Sequence, residues 1–349
     1  MKEIISNEIT QEPIDGGCQS GALDIYDGLE TPVSNDIIIL SSKHKKQIEE
    51  YATKAASEYS DNIGQKEPTY IQDTMGIPSL VVRVDCTVDE NDDIAAYELE
   101  DSPSGQGITD RVHSYVKGEG IKDKIIEHYM GTIGDIPHVL ISGHRSHGTD
   151  DDIIVGQERY SFDEIPLKID GPVIVKAIPG LQESHTAYLH LQSQAIAPLT
   201  TEGDKSYAVS IGDLKEVETE ADLLLCADGE LASQVAKSRL GSMAMGVSMY
   251  LNPIERKKYG KRGTVTASKF NTKIAEYQDR GGALLQKFVP PIQLQNPEGR
   301  NNAIMRVFVL LNNKDDTITA DAIGGCYVAR PELIVHGASN AVAGAVLVE

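Results

Sequence analysis

The sequence contains no tryptophan and only four phenylalanines among its 349 residues. Aliphatic side chains and the 14 tyrosines must therefore supply most of the core packing. A hydrophobic content of 40% is ordinary for a globular protein, and a chain of this length can bury a large core in one domain or a few subdomains. These values exclude a peptide-sized module and an extensively disordered chain.

Cysteine is scarce and scattered. The four cysteines are Cys18, Cys86, Cys226 and Cys326, and no two of them form a CxxC pair. This spacing indicates neither a zinc site nor a disulfide framework. We therefore expect a reduced, intracellular setting.

The sequence also lacks long apolar runs and an excess of basic residues. No segment approaches the length of a membrane span, and residues 1–17 contain no apolar run of the signal-peptide type. The chain has 32 Lys and Arg against 53 Asp and Glu, which gives a formal net charge of −21. Nucleic acids and anionic membranes bind broad basic surfaces, which this composition does not supply. We expect a soluble cytoplasmic protein with neither a nucleic acid nor a membrane as partner.

The spacing of apolar residues predicts a mixture of helices and strands. Residues 1–35 are polar and predict a tail, after which IIIL at 37–40 begins the ordered part. The predicted helices are 43–60, 109–130, which glycines at 118 and 120 interrupt, and the methionine-rich 230–251. The predicted strands outside the hairpin described next are 138–143, 171–180, 283–292, 303–311 and 317–330. Such a mixture is typical of an α+β architecture.

The most informative pattern lies in residues 81–107, VVRVDCTVDENDDIAAYELEDSPSGQG. Apolar residues alternate on two arms with the turn-forming run DENDD between them, which predicts an antiparallel, half-buried hairpin. The expected apolar face consists of Val82, Val84, Cys86 and Val88 on the first arm and of Ala95, Tyr97 and Leu99 on the second.

The other face of this hairpin gathers charged residues, because side chains alternate along a strand. If the turn centres near residues 91 and 92, Arg83 lies opposite Glu100 and Asp85 lies opposite Glu98. The like charges of Asp85 and Glu98, directly opposite each other, are destabilising unless a positive charge lies between them. Two interpretations stay open. The three carboxylates hold Mg²⁺, which prefers oxygen ligands, or the charges form a solvated face on an acidic protein.

Two further segments place cationic groups where an anion could bind. Lys176 lies in the apolar run GPVIVKAIPG, where a buried ammonium needs a phosphate or a carboxylate to neutralise it. Residues 255–268, ERKKYGKRGTVTAS, form the most basic stretch, in which Gly260 and Gly263 allow a close backbone approach to an anion. This stretch is either a loop that covers phosphate or a solvated loop without a ligand.

Two arginines in the predicted C-terminal strands add positive charge. Arg306 lies in MRVFVLL, and Arg330 ends IGGCYVAR, where Gly324 and Gly325 leave room for a neighbouring group. Each arginine either binds a carboxylate or phosphate of a ligand through paired hydrogen bonds or pairs with one of the 53 acids of the chain.

In their order along the chain, these segments resemble the ATP-grasp superfamily, and more closely its circularly permuted branch typified by the ligase domain of glutathionylspermidine synthases. That branch has an arginine-x-aspartate strand followed by a glutamate-x-asparagine strand. Arg83-Val84-Asp85 and Glu98-Leu99-Glu100 resemble them, with a carboxylate in place of the asparagine. ALLQKFVPPI resembles the hinge strand that contacts adenine, and MRVFVLL with AIGGCYVAR resembles the arginine strand and its glycine-glycine-x-x-x-arginine ending. The resemblance spans residues 80–330.

The resemblance implies a mixed α/β fold of the α+β class, with antiparallel sheets, flanking helices and an ATP cleft between subdomains. Residues 36–349 would form one permuted ATP-grasp module. Its implied parts are a metal-site hairpin with flanking helices at 36–150, a lysine strand, helix and lid region at 151–282, and hinge and arginine strands at 283–349. The implied activity is ATP- and Mg²⁺-dependent ligation of a carboxylate to an amine through an acyl phosphate.

The resemblance also implies roles for single residues. Arg83 and Arg330 would be catalytic residues that clamp the acyl phosphate or the substrate carboxylate. The implied ligands of Mg²⁺ are Asp85, Glu98 and Glu100. The implied ATP-binding residues are Lys176, Lys261, Gln286, Lys287, Val289 and Arg306. Such a site needs positioning and charge neutralisation in place of a protein nucleophile.

Two other functions stay open on the sequence. One is a phosphotransferase of the same fold, and the other is a degenerate nucleotide-binding or scaffold protein that has lost turnover. Retention of the carboxylates and arginines favours an active enzyme, whereas the loose placement of the second lysine and the lid loop, within 255–273, favours the scaffold. The substrates of a ligase would be a small-molecule or peptide acid and an amine, and the acidic surface slightly favours a cationic amine. The sequence carries no indication of the oligomeric state.

Overall fold

The structure of the chain is a computed structural model. It describes residues 10–13, 22–26, 29–32, 34, 36–62, 68–141, 169–176, 185–199, 215–217, 223, 231–238, 246–296, 299–335 and 341–349. Within these ranges no helix is both long enough and apolar enough to cross a membrane.

The described part of the chain contains helices and strands from end to end. The helices are α1 (Ser42–Asn62), α2 (Tyr70–Met75), α3 (Gln106–Lys117), α4 (Lys122–Ile133), α5 (His185–Gln192), α6 (Pro253–Tyr259) and α7 (Ala267–Gln278). The strands are β1 (Thr10–Pro13), β2 (Ala22–Tyr26), β3 (Leu29–Pro32), β4 (Asp36–Leu40), β5 (Val81–Val88), β6 (Ile94–Glu100), β7 (His138–Ile141), β8 (Val173–Lys176), β9 (Lys215–Glu216), β10 (Gln234–Ser238), β11 (Val247–Tyr250), β12 (Ala283–Lys287), β13 (Ile292–Asn296), β14 (Gly299–Lys314), β15 (Thr317–Arg330) and β16 (Val342–Val348).

The largest unit is an eight-stranded sheet with the order β1-β4-β16-β15-β14-β5-β6, in which β13 is a further partner of β14. Its strand pairs are antiparallel, except that β16 and β4 run parallel. The long hairpin of β14 and β15 forms its centre and places Arg306 directly opposite Cys326. On its other side β14 pairs with β5, where Arg306 lies opposite Asp85.

Helices cover both faces of this sheet. Ile48 of α1 and Val84 of β5 belong to the main core on one face. On the other face Val112 of α3 packs with Ala345 and Leu347 of β16. Residues that face each other across a strand pair share one side of a sheet, so Asp85 lies on the side of α3. On the charged face of the hairpin Arg83 and Asp85 are buried, whereas Glu98 and Glu100 are partly exposed.

A smaller sheet has the order β11-β10-β12-β9, and all its strand pairs are antiparallel. Helix α7 packs on one face of this sheet, where Phe270 and Ile274 join Ala236 and Leu285 in a separate core. The opposite face presents residues of β10 and β12 toward β6 of the large sheet. The remaining strands form two small pairs, the β2–β3 hairpin and the parallel pair of β7 and β8.

Local signals in the sequence explain where several helices begin and end. The side chain of Asn252 accepts a hydrogen bond from the Glu255 N–H at 2.9 Å, and Pro253 follows as the first residue of α6. Thr69 and Gln72 form a capping box at the start of α2. Gly118, with φ of 78°, ends α3, so the predicted helix over 109–130 is divided into α3 and α4.

The structure confirms the α+β class and most of the predicted elements. Helix α1 covers the predicted 43–60, and the predicted strands near 138, 171, 283, 303 and 317 are all present. Two segments that were interpreted as a tail or a loop contain regular structure instead. The segment 1–35, predicted as a polar tail, contains β1, β2 and β3, and the basic stretch 255–268 contains most of α6 and the first residues of α7.

The predicted helix over 230–251 is wrong. Residues 234–238 and 247–250 form β10 and β11, which pair with each other. Alanine and methionine favour a helix, and the pairing of β10 with β11 and β12 overrides this local preference. Gly246 has φ of 79° immediately before β11, and a side chain there would contact Ser238 at 2.7 Å. This conformation is foreign to a helix interior.

Gly325 offers a test of the close approach between β14 and β15. A Cβ atom at this position would overlap the backbone carbonyl of Arg306 on the neighbouring strand. We expect Gly325→Ala to lower the free energy of unfolding, measured by urea denaturation, by about 2–3 kcal/mol, the upper end for an overpacked core. The control is Gly131→Ala, since Gly131 lies exposed in α4 and an added Cβ atom there would meet no neighbouring atom within 4 Å. The control should be neutral or stabilising by about 0.5–1 kcal/mol, and equal effects of the two changes would contradict the expectation.

Candidate functional site

The candidate site begins with the pairing of β5 and β6. Arg83 lies opposite Glu100 and Asp85 lies opposite Glu98, which confirms the register predicted from the sequence. One carboxylate oxygen from each of Asp85, Glu98 and Glu100 lies within 4.8 Å of the other two. The hairpin thus converts a spacing in the sequence into a compact group of acids.

The apolar face of this hairpin differs from the prediction. The register shifts after Asp85, so that Cys86 lies opposite Ala96, and the buried residues of β6 are Ile94, Ala96 and Leu99 in place of the expected Ala95 and Tyr97. Such a β-bulge adds one residue to one strand and changes which side chains share a face. The prediction that the hairpin is half-buried is also wrong for β5, because Arg83 is 2% exposed and Asp85 is 3% exposed.

Arg83 is the centre of the polar contacts. Its Nε donates to Asp85 Oδ1 at 2.6 Å and its Nη2 donates to Asp85 Oδ2 at 3.0 Å. The same Nη2 lies 3.2 Å from Glu100 Oε1, and Nη1 donates to the Ser104 carbonyl at 2.6 Å. Burial disfavours the charged form, but Asp85 and Glu100 outweigh it and raise the pKa of Arg83 above its ordinary value. This guanidinium is held charged and fixed in the protein.

Two further cations contact the acids from distant parts of the chain. Lys237 of β10 places its Nζ 3.0 Å from Glu98 Oε2 and donates to the Tyr97 carbonyl at 3.1 Å. Arg306 places its Nε 3.7 Å from Asp85 Oδ2. Lys237 is a site residue that the sequence reasoning missed. It follows Val235 and Ala236 in QVAKS, a weaker form of the signal that pointed to Lys176, and the wrong helix assignment concealed it.

The predicted hinge strand also lies beside β6. Gln286 of β12 is 3% exposed, and its Nε2 donates to the carbonyl of Tyr97 at 3.3 Å. The Tyr97 hydroxyl donates to the Val289 carbonyl at 3.2 Å. Lys287 is exposed and lies on the face of β12 opposite to Gln286, since alternate residues of a strand point to opposite faces. These contacts dock the smaller sheet onto the edge of the larger one, next to the acids.

The structure places the remaining predicted residues farther away or outside its described part. Arg330 lies four residues beyond Cys326 on β15, about 14 Å along the strand from Arg306 at the usual rise. Lys261 is exposed and lines a cavity of about 580 Å³ together with Arg256 and other residues. Lys176 is the last residue of β8, and its side chain lies outside the described part of the structure.

The donor set fits a magnesium ion accompanied by an anionic ligand. Opposite ligands on one Mg²⁺ are about 4.2 Å apart, and the three carboxylate oxygens lie within 4.8 Å of one another, so the acids are grouped at the scale of one ion. Each oxygen of Asp85 has a second lone pair beyond its bond to Arg83. Among the described residues the buried Arg306 Nε has no hydrogen-bond partner, so it can still donate to an anion. The acids suit the metal and the cations suit phosphate oxygens.

Comparison with known proteins leaves these residues to be interpreted from their own geometry. No protein-family model matches the chain, and no curated protein matches its sequence. The resemblance to ATP-grasp proteins therefore stays a prediction.

The burial of Arg83 generates a test of the network. We expect Asp85→Asn to lower the free energy of unfolding by about 3–5 kcal/mol, because it leaves a buried guanidinium without its main counter-charge. Urea denaturation of the two proteins measures the difference. The control is Glu50→Gln, which removes the partner of the exposed Lys46 and should change stability little. A loss for Asp85→Asn as small as that of the control would show that Arg83 does not depend on Asp85.

Proposed function

We propose that the chain is an ATP- and Mg²⁺-dependent ligase that joins a carboxylate to an amine through an acyl phosphate. One observation carries this proposal: Asp85, Glu98 and Glu100 converge beside Arg83, at the place where the two sheets meet. Three oxygen ligands surrounded by fixed cations are what a metal-bound triphosphate requires. The agreement between this convergence and the sequence resemblance supports the assignment.

The proposal gives the site residues complementary roles. Asp85, Glu98 and Glu100 would hold Mg²⁺, which neutralises the charge of the transferred phosphoryl group. Lys237 and Arg306 would contact phosphate oxygens, since each lies beside a metal-binding carboxylate. Gln286, Lys287 and Val289 would contact the base through the hinge, with Lys176 and Lys261 as further phosphate-binding candidates.

The reaction needs no nucleophile from the protein. An oxygen of the substrate carboxylate would attack the γ-phosphorus, the bond to the bridging oxygen would break, and ADP would leave. The amine would then attack the acyl carbon, phosphate would leave with the bonding electrons, and the nitrogen would lose a proton to solvent. Arg83 and Arg330 would stabilise the charge of the acyl phosphate by hydrogen bonds aimed at its oxygens.

One observation favours the second candidate, a nucleotide-binding or scaffold protein without turnover. Each acid of the cluster already has a cationic partner, Arg83 for Asp85 and Glu100, and Lys237 for Glu98. The group can therefore be stable as an internal ion-pair network. A phosphotransferase would use the same residues and differ only in stopping after phosphoryl transfer.

Product analysis separates the three functions. Incubation with ATP, Mg²⁺ and a metabolite extract, followed by mass spectrometry, should detect an amide whose formation requires both an acid and an amine and yields ADP. Glu98→Gln should lower this activity about 100-fold or more, because removal of one metal ligand weakens charge neutralisation. Glu50→Gln, on the exposed face of α1, should retain it. A phosphorylated product without an amine would indicate the phosphotransferase, and ATP binding without any product would indicate the scaffold.

Lys237 provides a second test, in which one substitution changes the affinities for two ligands in opposite directions. Lys237→Met removes a positive charge 3.0 Å from Glu98, so Mn²⁺ alone, measured by electron paramagnetic resonance, should bind about 3- to 10-fold more tightly. The ATP complex of the metal, measured by calorimetry, should bind about 10-fold more weakly, because a charged donor to phosphate is lost. Lys46→Met is the control, since Lys46 is exposed on α1 and lies outside the basic stretch 255–268. Tighter or unchanged binding of the ATP complex would exclude a phosphate-binding role for Lys237.

A further inference from the structure

A second ionic group lies at the end of β15. The Nε of Arg330 donates to Glu332 Oε2 at 2.8 Å, and the Nη2 of Arg262 lies 2.8 Å from Glu332 Oε1. One carboxylate thus binds two guanidinium groups through its two oxygens. The contact joins the arginine strand to the turn at residues 260–264, which follows α6.

The two halves of this linkage differ in their exposure to water. The side chains of Arg330 and Glu332 are 10% and 17% exposed, whereas that of Arg262 is 71% exposed. Water screens the outer contact much more than the inner one. Glu332 therefore holds Arg330 firmly and Arg262 weakly. Because a guanidinium is planar, a bond at Nε restricts the directions in which both Nη groups can donate.

The turn itself is built to lie against the same strand end. Gly260 and Gly263 have φ of 88° and 85°, a conformation that other residues rarely adopt. Gly263 approaches the backbone nitrogens of Leu333 and Ile334, to which an added Cβ would come within 3.9 Å. At the end of α6, Tyr259 packs edge-on against Phe288, with ring centroids 5.7 Å apart.

These contacts connect the turn with two parts of the proposed site. Phe288 directly precedes the hinge residue Val289, whose carbonyl accepts a hydrogen bond from Tyr97. Arg330 lies on the same face of the β14–β15 hairpin as Arg306, because both positions have the same parity along a regular part of the pair. A displacement of the turn would therefore reach Arg330 through Glu332. It would reach the hinge through Phe288.

We propose that Glu332 is a positioning residue, which orients the guanidinium of Arg330 and, through Arg262, ties it to the turn at residues 260–264. The turn and the arginine then respond together to a bound substrate. This inference rests on the proposed function, in which Arg330 contacts the acyl phosphate, and it assigns the control of that contact to residues that do not touch the substrate.

Hydrogen exchange tests the linkage without any assumption about activity. Arg262→Gln and Glu332→Gln should each raise the exchange rate of the Gly260 and Thr264 amides, which donate hydrogen bonds to the carbonyls of Arg256 and Lys261, by about threefold or more, because the turn loses its ionic anchor. Arg262 is exposed, so its variant should fold normally even if Glu332→Gln is unstable. The control is Glu276→Gln, which removes the partner of Lys273 in α7. Rates equal to those of the wild type in both variants would overturn the linkage.

Steady-state kinetics test the positioning role. Glu332→Gln should lower kcat about 10- to 100-fold and leave the KM for ATP within about twofold, because a misplaced Arg330 affects the acyl phosphate and not the nucleotide. Arg262→Gln should also lower kcat and leave the KM for ATP nearly unchanged, but the decrease in kcat should be smaller. Glu332→Asp should restore part of kcat. A raised KM for ATP with unchanged kcat would overturn the role. If the wild type forms no product while exchange shows the anchor, the proposed function fails and the linkage stands.

Discussion

The contact between Arg83 and Asp85 constrains everything around it. β5 lies between β14 and β6 with both faces covered, so neither charge can be left without the other in this part of the protein. Once Asp85 fixes the guanidinium, its remaining donors point at Glu100 and at the Ser104 carbonyl. One buried pair therefore sets the end of β6 and the residues that lead into α3, and Arg83 holds Asp85 and Glu100 together while Lys237 binds Glu98.

The meeting of the two sheets adds the second half of the site. Glu98 belongs to the large sheet but bonds to Lys237 of the smaller one, and Gln286 donates to the backbone of the same edge strand. Acids from one sheet thus face cations and amide groups from the other. A metal-bound polyanion would exchange these internal ion pairs for contacts with its own charges, which lets binding of a ligand and docking of the sheets influence each other.

Prediction from the sequence succeeded where neighbouring residues decide the structure. The alternation on both arms and the acidic turn were sufficient to place Arg83 opposite Glu100 and Asp85 opposite Glu98. Prediction failed where distant strands decide. Residues 234–238 and 247–250 form strands because β12 offers an edge to β10, and the bulge in β6 moved Tyr97 out of the core toward the hinge. The apolar, glycine-containing β16 was not predicted, because its small residues carry little preference until β15 pairs with it.

The sequence by itself determined the hairpin, its register and the grouping of three acids with one arginine, since these depend on residues that are close along the chain. Tertiary structure alone decided which cations face those acids. Lys237 and Arg306 lie more than a hundred residues from β6 in the sequence, and only the pairing of β14 with β5 and the docking of β10 on β6 bring them there. Burial was decided at the same level, because the charged face is covered by the residues that lead into α3 and by the second sheet, and long-range packing of this kind leaves no periodic signal in a local stretch of sequence.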